Sequence, residues 1–70
     1  VRDVTIRGDV IRLGQLLKLA GIADSGGEAR FLLEDGTVQV NGEPEHRRGR
    51  QLHDGDVVAC GDETLRVVAG

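Results

Sequence analysis

The segment Thr37-Val38-Gln39-Val40-Asn41-Gly42 constrains this chain more than any other. Its alternating β-branched residues read as a strand. Asn-Gly can take positive φ at both central positions of a two-residue hairpin turn, the strongest short-range hairpin signal in a sequence. Glu43 to Arg48 should then run back as the partner strand, with Pro44 confining that strand to an edge or an irregular path. The densest group of cations, Arg47, Arg48 and Arg50, follows at once. The rest of the chain must supply the layer against which this hairpin packs.

Upstream lie two helical patterns. Within Ile11 to Ala20, the residues Leu13, Leu16, Leu17 and Ala20 recur at helical spacing and form one apolar face. Gly21 suits the left-handed residue that closes a helix. Ser25-Gly26-Gly27-Glu28 opens the second helix as a capping box, in which serine and glutamate each satisfy a free amide. Ala29, Leu32 and Leu33 continue its apolar face, Phe31 is expected to cap the core, with an exposed apolar spot as the alternative, and Asp35-Gly36 ends the helix. Both helices are short and depend on tertiary packing.

Strands account for the remainder. Val4 to Arg7 reads as a first strand ending in a Gly8-Asp9 turn. After the hairpin, Gly49 to Gln51 turn the chain and Leu52 anchors it to the core. His53 to Asp56 form a turn, Val57 to Cys60 a strand, Gly61-Asp62 a turn, and Thr64 to Val68 the last strand. The expected fold is α+β: two short N-terminal helices packed on a small, mostly antiparallel sheet, all within one domain over residues 1–70.

Composition narrows the function. The 70 residues include one Phe and no Trp or Tyr, so the core must be aliphatic and base stacking on exposed aromatics is nearly excluded. The formal net charge is −3, which alone argues against nucleic acid. The charge is segregated, however: residues 37–51 are net positive, and residues 52–70 hold Arg66 against Asp54, Asp56, Asp62 and Glu63. The lone Cys60 can form no internal disulfide and fits a small buried apolar side chain and a cytoplasmic protein. No apolar run approaches a membrane span, and no signal peptide is visible. Cys60, His46 and His53 lack metal-ligand spacing. No nucleophile–base pair, Walker-type loop or dinucleotide fingerprint is present, so neither an enzyme nor a cofactor is expected.

Read together, Arg12-Leu13, Gly21, Ser25, Ala29, Gly36, Val38-Gln39-Val40-Asn41-Gly42 and Gly55-Asp56 resemble the S-four domain, a module of ribosomal proteins, pseudouridine synthases and tyrosyl-tRNA synthetases. The core motif spans residues 12–56. Within that family, Ile11 to Lys18, Ser25 to Arg30 and Asn41 to Arg50 are most similar to the stand-alone YbcJ/YaaA-like subgroup. The resemblance implies an RNA-binding alpha-L fold. Two positions depart from the wider pattern: Gly14 stands where Asp is frequent, and Gly26 where Arg is frequent. The second departure removes a cation from the start of the second helix.

The expected function is therefore recognition of structured RNA, rRNA or tRNA, through phosphate and shape contacts, in association with the ribosome or another ribonucleoprotein surface. No membrane partner and no preference for DNA are expected. The alternative is a protein-interaction adaptor that keeps the fold and has lost RNA affinity. The candidate contacts are Arg47, Arg48 and Arg50, whose planar guanidiniums can grip phosphates. The competing reading for this cluster is a solvated loop paired with Glu43 and Glu45. Ser25, Gly26 and Gly27 offer free amides at a helix start, with Arg30 reaching the same end sideways. Lys18, Asn41 and His46 complete the set, although Asn41 also serves the turn and His46 could simply extend the edge strand. Arg12 is expected to neutralise Asp9 or Asp56 instead, because six residues separate it from Lys18 and one helix face does not hold both.

Overall fold

The computed structural model describes residues 1–70. Strands β1 (Arg2–Ile6) and β2 (Val10–Arg12) come first, followed by helices α1 (Leu13–Leu19) and α2 (Gly26–Glu34). Strands β3 (Val38–Val40), β4 (Glu43–Pro44), β5 (Gln51–His53), β6 (Val57–Cys60) and β7 (Glu63–Ala69) complete the chain. The α+β class and the mostly antiparallel sheet agree with expectation. The helices are not N-terminal elements, because two strands precede them.

Five strands form one sheet in the order β1-β7-β6-β3-β4. All pairings in it are antiparallel except β1 with β7, which is parallel, with Val4 opposite Val67. A separate ribbon joins β2 to β5, with Ile11 opposite Leu52. This ribbon explains two departures from the expected boundaries. Val10–Arg12 are drawn into a strand, so α1 starts at Leu13 and not at Ile11. Gln51 and His53, expected in turns, belong to a strand on either side of Leu52, which is buried as expected.

The hairpin forms at Asn41-Gly42, with φ of 52° and 86°. Its returning strand is only two residues long, and Glu45 then turns inward. Alternation places Val38, Val40, Val58, Cys60, Leu65 and Val67 on one buried sheet face. Leu13, Leu16 and Leu17 from α1, with Ala29 and Leu33 from α2, cover that face, and Leu52 is fully buried beside them. Burying each such aliphatic side chain contributes about 1.5–3 kcal/mol. Phe31 is not in this core: it is 65% exposed. It lies two residues from Ala29 on a helix whose buried residues are Ala29 and Leu33, which turns it to the opposite side. No helix is long and apolar enough to cross a membrane.

Candidate functional site

Helix α1 begins without a side-chain cap. Its N-cap residue is Arg12, whose side chain has no oxygen to offer the free amides of the first turn. Distant backbone supplies the acceptors: the Leu13 amide donates to the Arg50 carbonyl at 2.8 Å and the Gly14 amide to the Arg48 carbonyl at 2.9 Å. The loop after the hairpin is thereby fastened across the start of α1. Gly14 makes the close approach possible. A Cβ at that position would collide with Arg48 Cγ and stand 3.2 Å from its Cδ.

The same loop contains the only buried charged residue, Glu45, which is 7% exposed. Its carboxylate accepts from Arg47 Nε at 3.1 Å, Arg47 Nη2 at 3.2 Å and Arg50 Nη1 at 2.9 Å. It also accepts from the backbone amides of His46 and Arg47, both at 3.1 Å. The Arg47 side chain and then that of Arg50 hold the Glu45 carboxyl well below the usual carboxylate range, against the opposing effect of burial. The arginine cluster is therefore divided. Arg47 and Arg50 are bound to Glu45, as the paired-loop reading anticipates for two of the three, whereas Arg48 makes no ion pair.

Arg48 lies along a groove of about 280 Å³ lined also by Arg12, Gly14, Gln15, Lys18, Gly26, Ala29 and Gly49. No acid lines it. Three of its residues, Lys18, Gly26 and Arg48, are candidates from the sequence. The expected acidic partner for Arg12 needs correction: Arg12 makes no ion pair and lines the groove with Lys18. Helical spacing fails to predict this because Arg12 belongs to β2 and not to α1. The missed signal is the run Val10-Ile11-Arg12, whose β-branched pair favours a strand.

A second depression adjoins the first and shares Gln15 and Lys18 with it. It adds Thr5, Arg7, Val10, Ile11 and Leu19 and encloses about 450 Å³. Arg7 is likewise without an ion pair. On the other side, Arg48 also lines a depression with Arg30, Leu33, Glu34 and His46. The four cations that make neither an ion pair nor a hydrogen bond through their side chains within the protein, Arg7, Arg12, Lys18 and Arg48, thus line adjoining grooves. Arg2 donates to the Ala20 carbonyl, Arg30 pairs with Glu34 at 2.8 Å and Arg66 with Asp3 at 3.0 Å.

The start of α2 borders the main groove through Gly26. Ser25 Oγ accepts from the Glu28 amide at 3.2 Å, but the Glu28 carboxylate makes no return bond, so only the serine half of the capping box forms. The Gly26 and Gly27 amides are left without a backbone or side-chain acceptor. Asn41 plays a structural part. Its Nδ2 donates to Asp56 Oδ1 at 3.2 Å, and its Oδ1 accepts from the Val57 amide at 2.9 Å. His46 Nδ1 lies 2.9 Å from the Leu33 carbonyl oxygen. A carbonyl only accepts, so Nδ1 carries the proton, and the ring closes the C-terminal end of α2. Asn41 and Arg47 are absent from the groove lining, and Ser25 and Gly27 flank it. Cys60 is buried, and its burial and then Glu63 push the thiol up, which leaves it protonated and unreactive at neutral pH.

Two short helices and a small sheet, with a cation-lined groove at the junction of α1, α2 and the hairpin loop, make this a small α+β module. Residues 4–68 match the family model described as the S4 domain, and the chain belongs to that family. It is 51% identical over 55 residues to the probable ribosome maturation protein RlbA of Bacillus subtilis (strain 168), covering 79% of this chain and 78% of that one. It is 34% identical over 59 residues to YbcJ of Escherichia coli (strain K12), whose name classes it as a putative RNA-binding protein, with 84% of each chain covered. The fold is also similar to that of 30S ribosomal protein S4e from Thermoplasma acidophilum, with a TM-score of 0.63 at 24% identity, over 83% of this chain and 31% of that one.

Proposed function

We propose that this chain binds structured RNA, ribosomal RNA in the first place, by gripping phosphates along the groove beside α1. The observation that carries the reading is that Arg7, Arg12, Lys18 and Arg48 all lie without acidic partners on adjoining concave surfaces. Cations free of internal partners can release counterions from RNA at no cost in broken ion pairs. The free Gly26 and Gly27 amides add donors at the groove's edge. The names of the relatives, one for ribosome maturation and one for RNA binding, support the same partner class.

The absence of stacking aromatics at the groove favours recognition of backbone shape over unstacked bases. Within the candidate set, Arg48 and Lys18 are the primary phosphate contacts. Arg47 and Arg50 hold the loop, and Arg30 and His46 contribute at the flank that they share with Arg48. The module acts as a binding protein and performs no chemistry of its own. A protein-adaptor role has one observation in its favour, the exposed Phe31 on α2. Crosslinking in cells followed by sequencing of the bound RNA separates the two. Enrichment of structured ribosomal segments is expected. A partner complex that survives nuclease, with no RNA enriched, would overturn the RNA reading.

A further inference from the structure

The groove depends on an acid. We infer that Glu45 is a positioning residue for the anion site, so that altering this negatively charged side chain weakens RNA binding instead of strengthening it. The inference rests on the RNA reading above and concerns how Arg48 is held in place.

The geometry leads from Glu45 to Arg48 in short steps. The Glu45 amide donates to the Val38 carbonyl at 3.1 Å, which fixes the residue to β3. Its carboxylate then collects five donor contacts from the loop that follows: the amides of His46 and Arg47, two from the Arg47 guanidinium and one from Arg50. Arg50 is tied back by its own amide to the Arg47 carbonyl at 3.3 Å. The turn is thus closed on both sides of Arg48 around a single carboxylate. The carbonyls of Arg48 and Arg50, held by that turn, meet the Gly14 and Leu13 amides at the start of α1. The Arg48 side chain is left lying over Gly14 and along the groove.

Simple electrostatics predicts the opposite outcome. Neutralising an acid near an anion site removes repulsion and should raise affinity. Here the carboxylate is largely covered and its charge is matched by two guanidiniums, so little repulsion reaches the groove. Its hydrogen bonds remain necessary. An amide in its place offers one acceptor oxygen and an NH2 group that faces arginine donors. Aspartate keeps the charge but is one methylene shorter, so it loses reach to Arg50.

Glu43 provides the control. It is an exposed acid in β4, two residues away, with no ion pair or side-chain hydrogen bond. Fluorescence titration with a labelled ribosomal RNA hairpin should give equal or tighter binding for Glu43→Gln and a loss of about tenfold for Glu45→Gln, comparable with that for Arg48→Ala. Glu45→Asp, unchanged in charge, should also lose affinity. In the Arg48→Ala background, Glu45→Gln should cause little further loss, whereas general destabilisation would add a second, independent loss. Amide exchange at Leu13 and Gly14 should accelerate in the Glu45 variants, including any too unstable for titration. If Arg48→Ala weakens binding while Glu45→Gln tracks Glu43→Gln, or if those amides stay protected, the Glu45 role is wrong. If Arg48→Ala itself leaves RNA binding intact, the groove reading fails first.

Discussion

The groove beside α1 and the C-terminal strands β5 to β7 differ in how their charges are used. Along the groove, Arg7, Arg12, Lys18 and Arg48 face outward with no acid among the lining residues. In the C-terminal part, acids outnumber cations, yet two of them, Asp54 and Asp56, are engaged in structure. Asp54 Oδ1 accepts from the Ala69 amide at 2.9 Å. Asp56 accepts from the His53 amide at 2.8 Å and from Asn41. Arg66, the cation of this part, is bound to Asp3. A net charge of −3 therefore describes neither surface. What decides whether a protein of this size offers an anion a site is which charges are already engaged inside the fold.

The contrast can be attacked at its closest contact. Gly14→Ala places a Cβ against Arg48 Cγ, which must shift the loop or the start of α1. We expect a loss of about 1–3 kcal/mol in urea unfolding, together with weaker RNA binding. An unfolding midpoint equal to that of the parent would show that the loop is not fastened to α1.

Acid should reveal the structural carboxylates. The Glu45 carboxyl is held low, chiefly by its bonds to Arg47 and then to Arg50. Burial pushes Asp56 up, but bonds from the His53 amide and Asn41 outweigh it and leave that carboxyl lowered as well. Groups lowered in the folded state stabilise it above their unfolded values, about 4. That contribution fades as the pH falls through the folded values. Urea midpoints should therefore be flat from pH 7 to about 5 and drop below about 4. Glu45→Gln should be less stable at neutral pH and show a shallower acid decline. A parallel decline in both proteins would contradict the role given to this carboxylate.

How far the fold and the site are legible in the sequence depends on the range of each interaction. The Leu13-Leu16-Leu17 face, the Ser25 cap, the Gly21 helix end and the Asn41-Gly42 turn are local, and each forms where its residues indicate. The β2–β5 ribbon pairs residues about 40 positions apart, and the parallel β1–β7 pairing joins the two ends of the chain. Neither leaves a local signature. The division of the arginine cluster follows from the burial of Glu45, which has no counterpart in a period or a turn motif. Phe31 is legible but easily misread, since its distance of two residues from Ala29 already turns it away from the core face. Arg12 escapes for the opposite reason, because a helical rule does not hold for a residue in a strand.

A smaller effect tests the groove by addition. A Cβ at Gly26 meets nothing within 4 Å, and the residue lines the groove. Gly26→Arg should add a cation at the edge of the groove and tighten RNA binding about threefold, with the salt dependence steeper by up to about one phosphate contact. Unchanged affinity would place the bound phosphates away from the start of α2.

The most direct measurement compares two double variants that remove equal charge. Lys18→Ala/Arg48→Ala takes two cations from the groove, and Arg2→Ala/Arg66→Ala takes two that are engaged within the fold, by the Ala20 carbonyl and by Asp3. RNA affinity measured across a salt series gives the number of phosphates neutralised, with a slope change of about 0.7–0.9 per contact. Loss of the first pair should lower the slope by about 1.4–1.8, and loss of the second by less than about 0.5. Equal losses from the two pairs would mean that net charge, and not the unpaired cations of the groove, governs binding.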